Sequence, residues 1–308
     1  MARPLIPLTT DMSQRAYAPI PPQSVAFIGL GVMGAPMAAH LARAGHHVCV
    51  HNRSRGKADA WAAEHGGRAA PTAREAAAGA DFVFACVGND DDLREVTVGA
   101  DGAFASMPPA AVFIDHTTAS AALARELGTT AASRGLHFID APVSGGNLGA
   151  INGTLTIMCG GDAEAFERAK PVTMAYAKAM TLLGDSGAGQ LAKMVNQIAI
   201  AGLLQGLSEA IAFGERAGLD MKAVLAVIGQ GAAQSWQMDQ RGGTMVDGQF
   251  DFGFAVDWMR KDLGLVQQEA RRNGSSLPAT ELVDQFYADV QLAGGGRWDT
   301  SSLITRLR

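Results

Sequence analysis

The chain is 308 residues long, with 48% hydrophobic and 18% charged residues and a formal net charge of -5. Such a composition excludes a disordered chain, and an acidic balance with no compensating basic run excludes a nucleic-acid binder that relies on phosphate contacts. The length exceeds what one hydrophobic core usually organises, so two domains are expected.

The opening MARPLIPLTTDMSQRAYAPIPPQ has no long apolar core behind a charged start. Residues 1–23 are therefore expected to form a flexible tail rather than a secretory signal, and the expected location is cytoplasmic. From Ser24 onward, short β-branched apolar runs alternate with helical periods. SVAFIGL, HHVCVHN, DFVFACV, AVFIDHT, LHFIDAPV, TLTIMCGG and MTLLGD read as strands, and GAPMAAHLARAG, the region of KADAWAAEHG and an Ala-rich stretch from about Ala119 to Gly135 read as helices. Strict alternation of this kind predicts βαβ units, hence an α/β fold with a mostly parallel, doubly wound sheet of Rossmann type over residues 24–185. The three cysteines, Cys49, Cys86 and Cys159, each lie in an apolar run and read as core thiols, not as a disulfide framework or a metal site.

Beyond Asp185 the strand-like runs stop, so residues 186–308 are expected to form an all-helical C-terminal domain for substrate binding and dimerisation. Its first segment, SGAGQLAKMVNQIAIAGLLQGLSEAIAFGERAG, could be one helix of about 45 Å at 1.5 Å per residue. Gln197, Gln205 and Glu209 interrupt its apolar run, which favours a buried helix over a membrane span.

FIGLGVMG places Gly29, Leu30, Gly31, Val32, Met33 and Gly34 between a predicted strand and a predicted helix. In that context the glycine spacing is a dinucleotide grip. Gly29 permits a tight turn, Gly31 lets the backbone approach a pyrophosphate, and Gly34 allows close helix–strand packing, with the diphosphate at the helix N-terminus. At the end of the second strand, where an NAD-binding protein would carry an acid for the ribose hydroxyls, the chain reads Asn52, Arg53 and Ser54. A guanidinium can pair with a 2′-phosphate that a carboxylate would repel, so NADP is expected over NAD, with NAD still possible.

Downstream, Ser144, Gly145 and Gly146 follow a strand and open another element, so their N–H groups and hydroxyl can bind a carboxylate. In GAGQLAKMVNQ, Lys193, Asn196 and Gln197 lie at helical spacings of three and four and share a face, while Met194, Val195 and Ile198 are expected to face a core. A lysine on so apolar a helix is expensive to bury unless it is paired or functional.

Four motifs in order, GLGVMGAPMAAHL, DAPVSGGNLGAINGTL, GAGQLAKMVNQ and KDLGL, make the chain resemble the β-hydroxyacid dehydrogenase family from about Ser24 onward. That resemblance implies a Rossmann-type domain, a long connecting helix and a helical C-terminal domain in a homodimer or homotetramer. It further implies cofactor contacts at Val87, Gly88, Asn89, Thr118 and Lys261, and it assigns Lys193 the proton transfer, with Asn196 orienting the substrate and Gln197 as a further substrate contact. Gly88 and His116 depart from the proline and the small polar residue usual in the family. The expected reaction interconverts a short β-hydroxy acid and its semialdehyde, with a small carboxylic acid as partner and no nucleic acid, membrane or metal. An ordinary helix ion pair with Asp257 is the other reading of Lys261, and Trp236 and Phe254 are read as core aromatics that could also line a pocket. The alternatives are an imine reductase or a glyoxylate or semialdehyde reductase on the same fold, or a non-catalytic dinucleotide-binding sensor. The lysine argues against the first of these.

Overall fold

A computed structural model describes residues 15–308, which divide between Lys193 and Met194 into two compact units. In the first, strands β1 (Ser24–Ile28), β2 (His47–His51), β3 (Arg68–Ala69), β4 (Phe82–Ala85), β5 (Val112–Asp115) and β6 (His137–Asp140) form a parallel array in the order β3-β2-β1-β4-β5-β6. Helices α1 (Gly34–Arg43), α2 (Arg55–His65), α3 (Ala73–Ala77), α4 (Asp90–Val98) and α5 (Ala121–Ser133) make the crossovers. Alternation along β1 shows why both faces must be covered. Val25 and Phe27 enter one core cluster while Ala26 and Ile28 enter the other, and all four are buried.

The strict alternation read from the sequence breaks after β6. Strand β7 (Val143–Ser144) and helix α6 (Gly146–Ile151) lead into β8 (Leu155–Gly161), which runs antiparallel to both β6 and β7. With only a six-residue helix between them, β7 and β8 cannot form a full right-handed crossover, so the chain doubles back. Helix α7 (Ala163–Thr173) then carries it to β9 (Ala177–Leu182), parallel to β8. Helices α3, α4 and α7 and the two-residue β3 are additions to the sequence reading. The caps of these helices are local: Thr72, Asn89 and Asp162 each accept a backbone N–H in the first turn.

Of the segment read as a tail, residues 1–14 lie outside the described residues. Arg15–Gln23 forms neither helix nor strand, yet it is held against the first unit. The Arg15 guanidinium donates to the carbonyls of Asn152 and Met174, at the C-terminal ends of α6 and α7 where helix dipoles favour a cation, and to Ala177 O at the start of β9. The Tyr17 hydroxyl lies 2.7 Å from Nδ1 of the buried His40, whose Nε2 reaches Ile151 O at 2.9 Å.

Helix α8 (Ala188–Arg216) is 29 residues long, about 44 Å, and begins in the first unit and continues into the second. The second unit continues with α9 (Met221–Ile228), α10 (Trp236–Val246), α11 (Val256–Asn273) and α12 (Pro278–Val290) and closes with a 3-10 turn at Thr300–Arg306. Leu204, Met259, Leu263, Tyr287 and Leu303 centre its larger core. Val195, expected to face a core, is 67% exposed, because α8 turns a second apolar face outward.

Candidate active site

The glycine loop has the shape that the spacing demands. Gly29 sits at φ +94°, and a Cβ there would lie 2.3 Å from Cys86 O just after β4, so only glycine allows the turn from β1 into α1. At Gly34 a Cβ would fall 1.9 Å from Gly29 O, the close helix–strand approach that lets α1 start directly behind the loop. Gly31 differs from both, because a Cβ there would meet nothing within 4 Å. No contact inside the protein therefore requires a glycine at this position. The N-cap of α1, Met33, makes no side-chain cap bond, so the first-turn N–H groups have no side-chain acceptor at that cap. An open cradle at Gly31 before a helix start without a side-chain cap fits a diphosphate.

At the rim beside it, the Asn52 side chain fastens the glycine loop itself. Its Oδ1 accepts from Leu30 N at 2.9 Å and its Nδ2 donates to Ser54 O at 3.1 Å, so this residue, read as part of the cofactor site, holds Leu30 in place. Arg53 projects outward with its side chain 91% exposed and lies 3.3 Å from Asp92 Oδ1. On the neighbouring loop Asn89, read as a cofactor contact, uses its side chain to cap α4 at Asp92 N. Val87 N donates to Thr117 Oγ1 at 3.1 Å, which joins the loop after β4 to the loop after β5 that carries Thr118.

Two motifs far apart in sequence meet in the first unit. Lys193, 8% exposed on α8, donates from Nζ to Val143 O at 3.0 Å, the carbonyl immediately before Ser144-Gly145-Gly146. Gly145 at φ +132° and Gly146 at φ +61° bend the chain from β7 into α6 in conformations that side chains disfavour. Asp140 at the end of β6 sets the start of α8: Oδ1 accepts from Gly187 N at 2.7 Å and Oδ2 from Gln190 N at 2.9 Å. A carboxylate against a helix N-terminus is favourable, and burial raises its pKa against that attraction.

Near this loop lie groups to which the sequence reading gave no role. His116 is fully enclosed, with Nδ1 2.6 Å from Ala141 O and Nε2 2.7 Å from the Tyr176 hydroxyl. A carbonyl only accepts, so Nδ1 carries the hydrogen and Nε2 accepts from Tyr176. Burial drives the imidazole down to about 4 and the neighbouring Asp115 carboxyl up to about 8. Nothing in the local sequence marks these roles except that polar residues stand in apolar strand ends.

In the second unit, Gln197 is buried and its Nε2 donates to Asp262 Oδ2 at 2.7 Å, while its Oε1 accepts from Asn196 Nδ2 at 2.9 Å. Read from sequence as a substrate contact, it is engaged inside the protein. Lys261 lies 3.2 Å from Asp262 Oδ1. Asp257, the partner in the other reading of Lys261, accepts from Gln291. The arrangement makes Asp262 the hub between α8 and α11, and the residue was in view in KDLGL but was not singled out. Trp236 is 50% exposed with the Arg241 guanidinium over its ring, whereas Phe254 packs against the larger core.

A glycine grip on a parallel sheet, followed by a lysine helix and a helical unit, defines the class of two-part nicotinamide-dinucleotide oxidoreductases. Residues 24–184 match the profile of the NAD-binding domain of 6-phosphogluconate dehydrogenase, and residues 187–307 match that of the NAD-binding domain of NADP-dependent 3-hydroxyisobutyrate dehydrogenase. An uncharacterised oxidoreductase of Shewanella frigidimarina is 58% identical over 92% of this chain and 97% of its own. The 2-hydroxy-3-oxopropionate reductase of Escherichia coli is 34% identical over 91% and 96%. Among solved structures, the 3-hydroxyisobutyrate dehydrogenase of Mycobacterium tuberculosis with L-serine superposes at a TM-score of 0.84 and 34% identity, over 93% of this chain and 99% of that one. The chain belongs to the β-hydroxyacid dehydrogenase family.

Proposed function

We propose that the protein interconverts a short β-hydroxy acid and its semialdehyde, with NADP preferred and Lys193 as the general acid and base. The observation that carries this reading is the placement of Lys193 Nζ 3.0 Å from Val143 O, beside the Ser144-Gly145-Gly146 turn. Glycines 29, 31 and 34 and the start of α1 would hold the dinucleotide, which when bound supplies or accepts the hydride. The carboxylate of the acid would be held by the Ser144 hydroxyl and the Gly145 and Gly146 N–H groups. Lys193 then gives a proton to the developing alkoxide in reduction and takes it from the hydroxyl in oxidation. The Val143 carbonyl holds the ammonium in a fixed direction, and Asn196, one turn along α8, orients the reacting oxygen.

L-serine and 2-hydroxy-3-oxopropionate, which appear in the names of two relatives, share a carboxylate one carbon from the reacting position, in keeping with an anion turn next to a lysine. Arg53 supports NADP, since no carboxylate occupies residues 52–54, although a 2′-phosphate must compete with Asp92 for the guanidinium. We further propose a homodimer or homotetramer, in keeping with the outward apolar face of α8.

The test is a spectrophotometric screen of small semialdehydes and hydroxy acids with NADPH and NADH, run on the parent and on Lys193→Ala. Turnover of a carboxylate-bearing substrate, better with NADPH, is expected. The lysine variant should lose about 10²-fold or more in kcat while cofactor affinity holds. Equal turnover by both proteins would remove Lys193 from the chemistry.

A further inference from the structure

Gln190 lies on α8 one turn before Lys193 and is wholly enclosed. Its carboxamide spans the loop after β5: Oε1 accepts from Ala119 N at 3.1 Å and Nε2 donates to Thr117 O at 2.7 Å. Those two backbone groups flank Thr118. Its own N–H is fixed in turn by Asp140 Oδ2. One side chain thus ties the catalytic helix to the loop on the cofactor side, and one backbone group ties it to β6. A carboxamide suits this position because it presents one acceptor and one donor side by side, matching a free N–H and a free C=O two residues apart.

We propose that Gln190 is a positioning residue that holds the Thr117–Ala119 loop in register with Lys193, so that the group contacting the cofactor and the group moving the proton are set by one clamp. This rests on the Lys193 reading above. A loose clamp would let the two halves of the reaction drift apart, and in a preorganised site a displacement of about 1 Å can cost roughly 10²-fold in rate.

Gln190→Met keeps the length and apolar volume of the side chain and removes both bonds. Hydrogen exchange across residues 116–120 should rise by roughly 10-fold or more, as for amides released from a buried bond. The kcat should fall roughly 10- to 100-fold with KM for the acid little changed, and the isotope effect from deuterated cofactor should grow as hydride transfer becomes limiting. Gln190→Glu supplies the conservative control. A protonated carboxyl can accept from Ala119 and donate to Thr117, whereas a carboxylate can only accept and would face the Thr117 carbonyl. Its kcat should be near that of the parent at low pH and fall as the new carboxyl ionises. The titratable and charged groups on the elements that meet here are Asp115 at the end of β5 and His116 just after it, Asp140 on β6, Cys159 on β8, Asp90 bonded to Ser120 N, Arg125 beside Gly187, and Lys193 on the same helix. Asp140, whose Oδ2 accepts from the Gln190 N–H, is a like charge on this turn and would keep the new carboxyl protonated to higher pH.

Parental exchange of the loop in Gln190→Met, or a parental pH profile in Gln190→Glu, overturns the proposal. The exchange measurement needs no turnover. Lys193→Ala should leave exchange of the loop at the parental rate, so a failure of the lysine reading and a failure of the clamp show up in different experiments. If Gln190→Met does not fold, the pH profile of Gln190→Glu decides.

Discussion

At the scale of single residues, the buried pair Asp115 and His116 gives the protein a testable pH signature. Asp115 ionises at about 8 in the folded chain against 3.8 unfolded, so between those values the folded state binds more protons. Its contribution to stability is complete below pH 3.8 and is lost as pH rises toward 8. His116 runs the other way, from 6.5 unfolded to about 4 folded, and its contribution is lost as pH falls through that window. The two slopes oppose each other between pH 4 and 6.5, and only Asp115 acts between 6.5 and 8. Asp115→Asn should therefore gain Tm relative to the parent as pH is raised from 6.5 to 8, read by thermal melts in matched buffers. A difference that does not change with pH would mean that the folded carboxyl is already ionised. Neither residue was legible as a pair, because burial of a polar strand end is a property of what packs over it. Lys193 was legible, since its motif and its helix spacing are local. Gln190 was not, because its partners are backbone groups 71 and 73 residues away.

At the scale of elements, the glycine loop separates a structural glycine from a functional one. Gly34→Ala would push a methyl group into Gly29 O and should cost stability by about 1–3 kcal/mol or more. Gly31→Ala meets open space and should keep its stability within about 0.5 kcal/mol while losing cofactor affinity. Denaturant unfolding and cofactor titration on the two variants make the comparison, and the reverse outcome would exchange the two roles. The β1–α1–β2 unit that holds this loop was readable because apolar alternation and a 3.6-residue period sit side by side there. The direction of β8 was not, because an apolar strand carries the same pattern whichever way it runs. The short α6 was the one local hint that a full crossover is missing.

At the scale of the whole molecule, α8 presents Val195, Ala199, Leu203, Gly206, Ala210 and Phe213 to solvent at helical spacing. Phe213 is 74% exposed, and small residues between the large ones let a second helix come close. If a second copy of the chain covers this stripe, Phe213→Glu should lower the mass of the particle in size-exclusion chromatography with light scattering, without loss of helix content by circular dichroism. A parent protein that elutes as a monomer would end the oligomer reading. The sequence reading expected Val195 to face inward because amphipathicity shows that a face is apolar, not whether the same chain covers it. The start of α8 bears on how the molecule comes together in time. Its capping carboxylate, Asp140, stands 47 residues before the N–H it receives. The first turn of the helix therefore cannot be completed from its own sequence and must wait until β6 is in place. Non-local closures of this kind fall late on a folding route, so the lysine helix is set after the sheet that will face it.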